Sequence, residues 1–103
     1  MNNTSIISPA ELDAWIENGM NFQLVDISLE NLLKDVDILS DWIPVTNIIN
    51  EIDKLKKDVP IVLCCRHGND SFILMNIMHV NFGKTNVLSL KSGLYGWKPA
   101  LAK

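Results

Sequence analysis

Apolar residues fall along this chain in two rhythms, and each change of rhythm marks an element. Ala10, Leu12, Trp15 and Ile16 form a stripe at helical spacing. The residues before it suit a helix start: Ser8 can cap, Pro9 fits the first helical position, and Glu11 stands where a capping box needs it. Gly19 follows the stripe, as a helix C-terminus favours. "FQLVDI", residues 22–27, is short and rich in apolar and branched side chains, and predicts a strand. The pattern weakens over 28–42, where "SLENLLKDVDILSDW" allows a short helix near 29–34. Pro44 biases Ile43 away from the helical region, so 43–45 is expected to be extended. Thr46 or Asn47 can then cap a helix to about Lys56, with Ile48, Ile49, Ile52 and Leu55 on one side.

"PIVLCC", residues 60–65, is continuously apolar, as expected of a central strand covered on both faces. From Ser71 to about Val80 the residues are apolar nearly all round, which predicts a deeply buried helix ending near Asn81 or Gly83. "TNVLSL", 85–90, is the last predicted strand, and "GLYGWKPALAK" a closing helix or turn. Strands alternating with helices predict an α/β fold, a central parallel sheet flanked by helices on both faces. At 103 residues the chain is read as one domain, 1–103.

Composition narrows the function classes. Apolar residues make up 48% and charged residues 20%, which excludes a disordered chain. A net charge of −3 gives no general attraction to nucleic acid or anionic membranes. No apolar run is long enough to span a bilayer, and "MNNTSIISPAEL" lacks the basic start and apolar core of a signal peptide. The expected compartment is the cytoplasm, where thiols stay reduced. The two cysteines, Cys64 and Cys65, are adjacent. A bridge between them would close almost no chain, so a disulfide scaffold is excluded.

The candidate chemistry sits at 62–72, "VLCCRHGNDSF". In a parallel α/β domain reactive groups collect where strands run out at their carboxyl ends. Cys65 lies at such an end, and Arg66, His67, Gly68, Asn69 and Asp70 form a polar loop before a helix starting at about Ser71. Gly68 can take backbone angles that let so short a loop curl. Curling would turn amides inward as an anion nest at a helix N-terminus. That setting and the neighbouring arginine favour a thiolate. Cys64 faces the other way on the strand and reads as a small buried side chain. Cys64, Cys65 and His67 are too crowded, and lack a second ligand pair, for a tetrahedral metal site. His67 reads as a solvated loop residue and His79 as structural.

"CRHGNDS", the helix after it and "TNVLSLKSGLYGW" together resemble the rhodanese-like sulfurtransferase domain. That family carries a catalytic cysteine opening a C-R-x-G-x-x loop, then a helix beginning with Ser. A later L-x-G-G-x-x-x-W segment reads Leu90-Lys91-Ser92-Gly93-Leu94-Tyr95-Gly96-Trp97 here. The "SPAEL" opener and "FQLVDI" strand also match in place, so the resemblance covers essentially the whole chain. "GNDS" and "DWIPVTNIINEIDKL" are most similar to rhodanese domains attached to ubiquitin-activating-type adenylyltransferases. The resemblance implies that Cys65 accepts sulfane sulfur as a persulfide and passes it to a second nucleophile. Arg66, His67, Gly68, Asn69, Asp70 and Ser71 would surround the terminal sulfur. It implies no metal and no cofactor. The partners implied are a sulfur donor (a protein persulfide or thiosulfate) and a sulfur acceptor such as a sulfur-carrier/adenylyltransferase system.

The departures are informative. The family's usual D-V-R is Asp26-Ile27-Ser28, the G-H-I-x-G-A segment is absent, and Ser92 replaces the first glycine of the pair. The loop's last residue, often arginine in thiosulfate users, is Asp70, whose carboxylate repels a dianionic donor. Three other readings compete, one of them a redox role with Cys64 as the resolving thiol, although adjacent cysteines bridge only with strain. Cysteine phosphatases and arsenate reductases need an arginine six positions after the nucleophile, and counting from Cys65 reaches Ser71 instead. A catalytically silent interaction module usually loses the cysteine, which is present.

Overall fold

The computed structural model describes residues 5–102. The expected domain, 1–103, also takes in Met1–Thr4 and Lys103, which lie outside the described residues, as does the start of the segment judged not to be a signal peptide. Five parallel strands form one sheet: β1 (Ile6–Ile7), β2 (Gln23–Asp26), β3 (Asp41–Trp42), β4 (Ile61–Cys64) and β5 (Val87–Leu90), in the order β1-β5-β4-β2-β3. The helices are α1 (Pro9–Glu17), α2 (Asn69–Phe82) and α3 (Gly93–Trp97), with 3₁₀ turns at Ile52–Lys54 and Pro99–Ala102.

The pleat explains why β4 reads as a continuous apolar run. Alternate side chains enter two different cores. Ile61, Leu63 and Cys65 pack with Val25, Ile27 and Val87 against α2 residues Leu74, Met75 and Met78. Val62 and Cys64 pack with Leu24 and Leu90 against Leu12 of α1 and Leu94 of α3. The sheet is therefore covered on both faces, and neighbouring cysteines belong to opposite layers.

α1 begins as expected. Glu11 N–H donates to Ser8 Oγ (3.1 Å), and Ser8 N–H donates back to Glu11 Oε1 (3.0 Å), with Pro9 at the first helical position. The Ser8 amide, and after it the Ser8 hydroxyl, hold the Glu11 carboxyl below its usual pKa. Of the apolar stripe, only Leu12 is fully buried and Trp15 is half-buried against Phe22, while Ala10 and Ile16 are exposed.

Several expectations are corrected. Ile6–Ile7 pairs with Ser89–Leu90 as an edge strand too short to leave a periodic signal. The helix expected near 29–34 does not form. The buried Asp26 carboxylate accepts the amides of Ser28 (2.9 Å) and Leu32 (3.0 Å), and this Asx turn competes with helical pairing. The strand lies just before the expected stretch, at Asp41–Trp42; the amides of Ile43 and Val45 still donate to the Asp26 and Ile27 carbonyls, but Val45 already opens the turns that follow. The helix expected from 46 to 56 is broken into turns and one 3₁₀ turn. Thr46 Oγ1 bonds Asn47 Oδ1 instead of capping, and branched Ile48, Ile49 and Ile52 alternate with turn-forming Asn47, Asn50 and Asp53. Ile48 and Leu55 are nevertheless buried in the α2-side core. The last strand starts at Val87 rather than Thr85.

α2 differs in two ways. It starts at Asn69, not Ser71, with Gly68 as its N-cap at φ +93°. It is buried on one face only. Ser71, Leu74, Met75 and Met78 face the sheet, whereas Ile73 and Val80 are 57% and 82% exposed and Phe72, Ile77 and Phe82 are also exposed. Nothing among the described residues covers that outer side.

Candidate functional site

β4 runs out at Cys64, and the next residue, Cys65, is 5% exposed beneath the loop it opens. The loop curls back over the sulfur. Gly68 N–H donates to Cys65 Sγ at 3.1 Å and Ser71 N–H at 3.4 Å. Ser71 Oγ lies 3.5 Å from the same sulfur. The curl needs the left-handed backbone of Gly68. A side chain there would also press on the backbone of Leu90, Ser92 and Gly93, at 3.1–3.3 Å.

The carbonyls of the loop are drawn the opposite way. Cys65 C=O accepts Leu94 N–H (2.7 Å) and Arg66 C=O accepts Tyr95 N–H (3.0 Å). With two carbonyls tied to α3, the sulfur side of the loop is left to donors. The amides of Arg66, His67, Asn69 and Asp70 make no backbone hydrogen bond among the described residues. Asn69 and Asp70 stand in the first turn of α2, where helix geometry leaves N–H groups free. Partial positive charge at that helix end favours an anion.

The six residues expected to bind substrate are brought together, in distinct positions. Gly68 and Ser71 address the sulfur. Arg66, His67, Asn69 and Asp70 line a pocket of about 370 Å³ that Cys65 shares with Ile27, Ser28 and Val45. Arg66 does not stand free: its Nη2 pairs with Glu30 Oε1 at 3.0 Å. His67 is exposed, edge-on to the Tyr95 ring at 5.2 Å. His79 lies away from this group and donates from Nε2 to the Val87 carbonyl (2.7 Å), a structural bond.

Cys64 has a different chemistry. It is fully buried in the α1-side core, with Sγ 3.4 Å from the Val25 carbonyl. Burial pushes its thiol well above the ordinary range, and the charges of Asp26 and Cys65 push the same way. It is therefore held as a neutral thiol. Both cysteines are free, and no group of three or more His, Cys, Asp or Glu among the described residues could hold a metal ion.

Three parts of this site lie outside the residues that the sequence pattern points to. Glu30, the partner of Arg66, lies in the segment whose pattern was least readable. The α3 amides that hold the loop carbonyls are backbone groups and leave no side-chain signature. Ser89, buried 2.7 Å from Ser71 Oγ, was visible as a polar residue in an otherwise apolar strand.

The sequence profile of the rhodanese-like domain matches residues 8–100. A rhodanese-related protein from Thermoplasma volcanium is 21% identical, with 91% of this chain and 90% of that one covered and a TM-score of 0.72. A rhodanese-like domain protein from Staphylococcus aureus is 18% identical over 91% of each chain, with a TM-score of 0.74. A protein of unknown function from Rhodopseudomonas palustris, described as a possible tyrosine phosphatase, is 19% identical over 93% of this chain and 80% of that one, at 0.77. At such identities these structures show the fold alone. No curated protein matches the sequence. Among the described residues, no helix is long and apolar enough to cross a membrane.

Proposed function

Because the chain belongs to the rhodanese-like domain family, we propose that it is a sulfurtransferase in which Cys65 carries sulfane sulfur as a persulfide. The observation that carries this reading is the loop around Cys65 Sγ, where two backbone amides and a hydroxyl converge on one buried sulfur. The further loop amides that lack a backbone partner suit the terminal sulfur of a persulfide anion.

The chemistry balances without a metal or cofactor. The Cys65 thiolate attacks the outer sulfur of a donor persulfide, R–S–S⁻. A new S–S bond forms to Cys65, the donor's S–S bond breaks, and R–S⁻ leaves with the electron pair. An acceptor thiolate then attacks the outer sulfur of Cys65–S–S⁻ and releases the Cys65 thiolate. Gly68 N–H and Ser71 N–H offset the negative charge at Sγ at both stages.

The donor we infer is a protein persulfide rather than thiosulfate. Asp70 lines the pocket and Glu30 already occupies Arg66, so two carboxylates oppose the entry of a free dianion and the cation is engaged. The likeness of "GNDS" to domains joined to adenylyltransferases supports a sulfur-carrier system as the acceptor. Phosphatase chemistry is disfavoured, since Ser71 occupies the sixth position after Cys65 and Arg66 is paired with a carboxylate. Sulfur loading of Cys65, followed by intact mass, tests the proposal.

A second reading, a non-catalytic interaction module, draws on the uncovered apolar side of α2. It predicts that a Cys65→Ser chain keeps every cellular role of the protein, whereas sulfur transfer predicts loss.

A further inference from the structure

Ser89 on β5 is 2% exposed. Its hydroxyl has a single side-chain hydrogen-bond contact among the described residues, Ser71 Oγ at 2.7 Å. Ser71 Oγ in turn lies 3.3 Å from the Gly68 carbonyl oxygen and 3.5 Å from Cys65 Sγ. The two hydroxyls hold two protons, and counting acceptors fixes their direction. If Ser71 donated to Ser89, the Ser89 proton would be buried with no acceptor among the described residues, an arrangement that costs free energy. If Ser89 donates to Ser71, both protons are placed. The Ser71 proton is then left for the Gly68 carbonyl or for Cys65 Sγ. An anionic sulfur is the stronger acceptor of the two, and a hydroxyl that already accepts one hydrogen bond donates a better one.

We propose that Ser89 is a positioning residue for the sulfur site. Its hydroxyl sets the polarity of a Ser89→Ser71→Cys65 chain, so that Ser71 Oγ–H joins the amides of Gly68 and Ser71 as a third donor to the sulfur anion. The inference rests on Cys65 being the reacting sulfur of the proposed transferase, and it assigns a function to a buried side chain 24 positions downstream of it. Ser89 also borders a second pocket, of about 470 Å³, shared with Phe72 and Lys91 on the outer side of the loop. That space can take a threonine methyl.

The test is the pH dependence of Cys65 alkylation by iodoacetamide, in which the thiolate displaces iodide and forms a C–S bond. The rate is followed on the Cys65 peptide in the native protein. Ser89→Ala is expected to move the midpoint of the profile to higher pH by about half a unit, roughly threefold in rate on its acid side. Ser89→Thr, which keeps the hydroxyl, is expected to match the parent. Ser71→Ala should move the midpoint further, and Ser71→Ala/Ser89→Ala no further than Ser71→Ala alone, because Ser89 acts through Ser71. Ser89→Val, which keeps strand preference, serves if the alanine variant does not fold. An unshifted Ser89→Ala profile, or a Ser89→Ala effect that adds in full to Ser71→Ala, would overturn the proposal. Alkylation needs no sulfur donor, so a parent protein that fails to load sulfur would refute the transferase reading and leave this result standing.

Discussion

Gly93 lies so close to Arg66 that no side chain fits between them. A Cβ at position 93 would fall well inside contact distance of the carbonyl oxygens of Arg66 and Cys65, and Gly93 is at φ +65°. This approach lets α3 take the two loop carbonyls and leave the amides to the sulfur. Gly93→Ala is therefore expected to lower stability by roughly 2 kcal/mol or more, read by thermal melting. The part that remains folded should load sulfur poorly, because the loop must move to admit the methyl group.

Ser92, next to it, is the only non-glycine residue among those described with a positive φ, at +66°. Gly96 makes this possible, since a Cβ at 96 would collide with that of Ser92. Ser92→Gly should relieve the strain and stabilise the protein by about 0.5–1 kcal/mol, a rise of a few degrees in Tm. Sulfur loading should be unchanged.

Legibility of the fold followed signal strength. The capping box at Ser8–Glu11 and the apolar run at 61–64 were readable because a local rule or a doubly covered strand leaves a dense pattern. The interval 28–56 was not. There the chain is held by single, non-repeating side-chain bonds, such as Asp26 to Leu32 and Trp42 Nε1 to the Ser28 carbonyl, which no periodicity records. The outer side of α2 misled for the opposite reason, since Ile73, Ile77 and Val80 are apolar and yet exposed. At the site, Cys65 and its loop were legible as a motif, but Glu30 and Ser89 act across the sheet and helix from distant parts of the sequence.

The raised pKa of Cys64 has a consequence for stability at alkaline pH. The unfolded thiol ionises near pH 8.5 while the folded one stays protonated, so the folded state binds the extra proton. The stabilisation is present in full below the unfolded pKa and is lost as pH rises from there toward the folded pKa. Stability should fall above about pH 8.5 by up to ~1.4 kcal/mol per pH unit, as measured by urea unfolding. Cys64→Ala should remove that slope, at the cost of a small cavity, and leave sulfur loading intact.

Under the proposed reading, the pairing of Arg66 with Glu30 bears on which donors reach Cys65. The pair is solvent-exposed, with side chains 40% and 76% accessible, so its strength is modest and salt-sensitive. Glu30→Gln frees the guanidinium, and Asp70→Asn removes the carboxylate at the pocket. Each should lower KM for thiosulfate by roughly two- to fivefold, with a smaller change for a protein persulfide. Equal KM values for thiosulfate in parent and variants would contradict the selectivity.

The most direct test of the central claim is the intact mass of the protein after incubation with a persulfide donor and removal of excess reagent. The account predicts that the parent chain gains the mass of one sulfur atom, that cyanide or a thiol acceptor removes it, and that Cys65→Ser gains none while Cys64→Ala gains as much as the parent. A parent chain that gains no sulfur, or a Cys65→Ser chain that gains it equally, would contradict the assignment of Cys65 as the sulfur carrier.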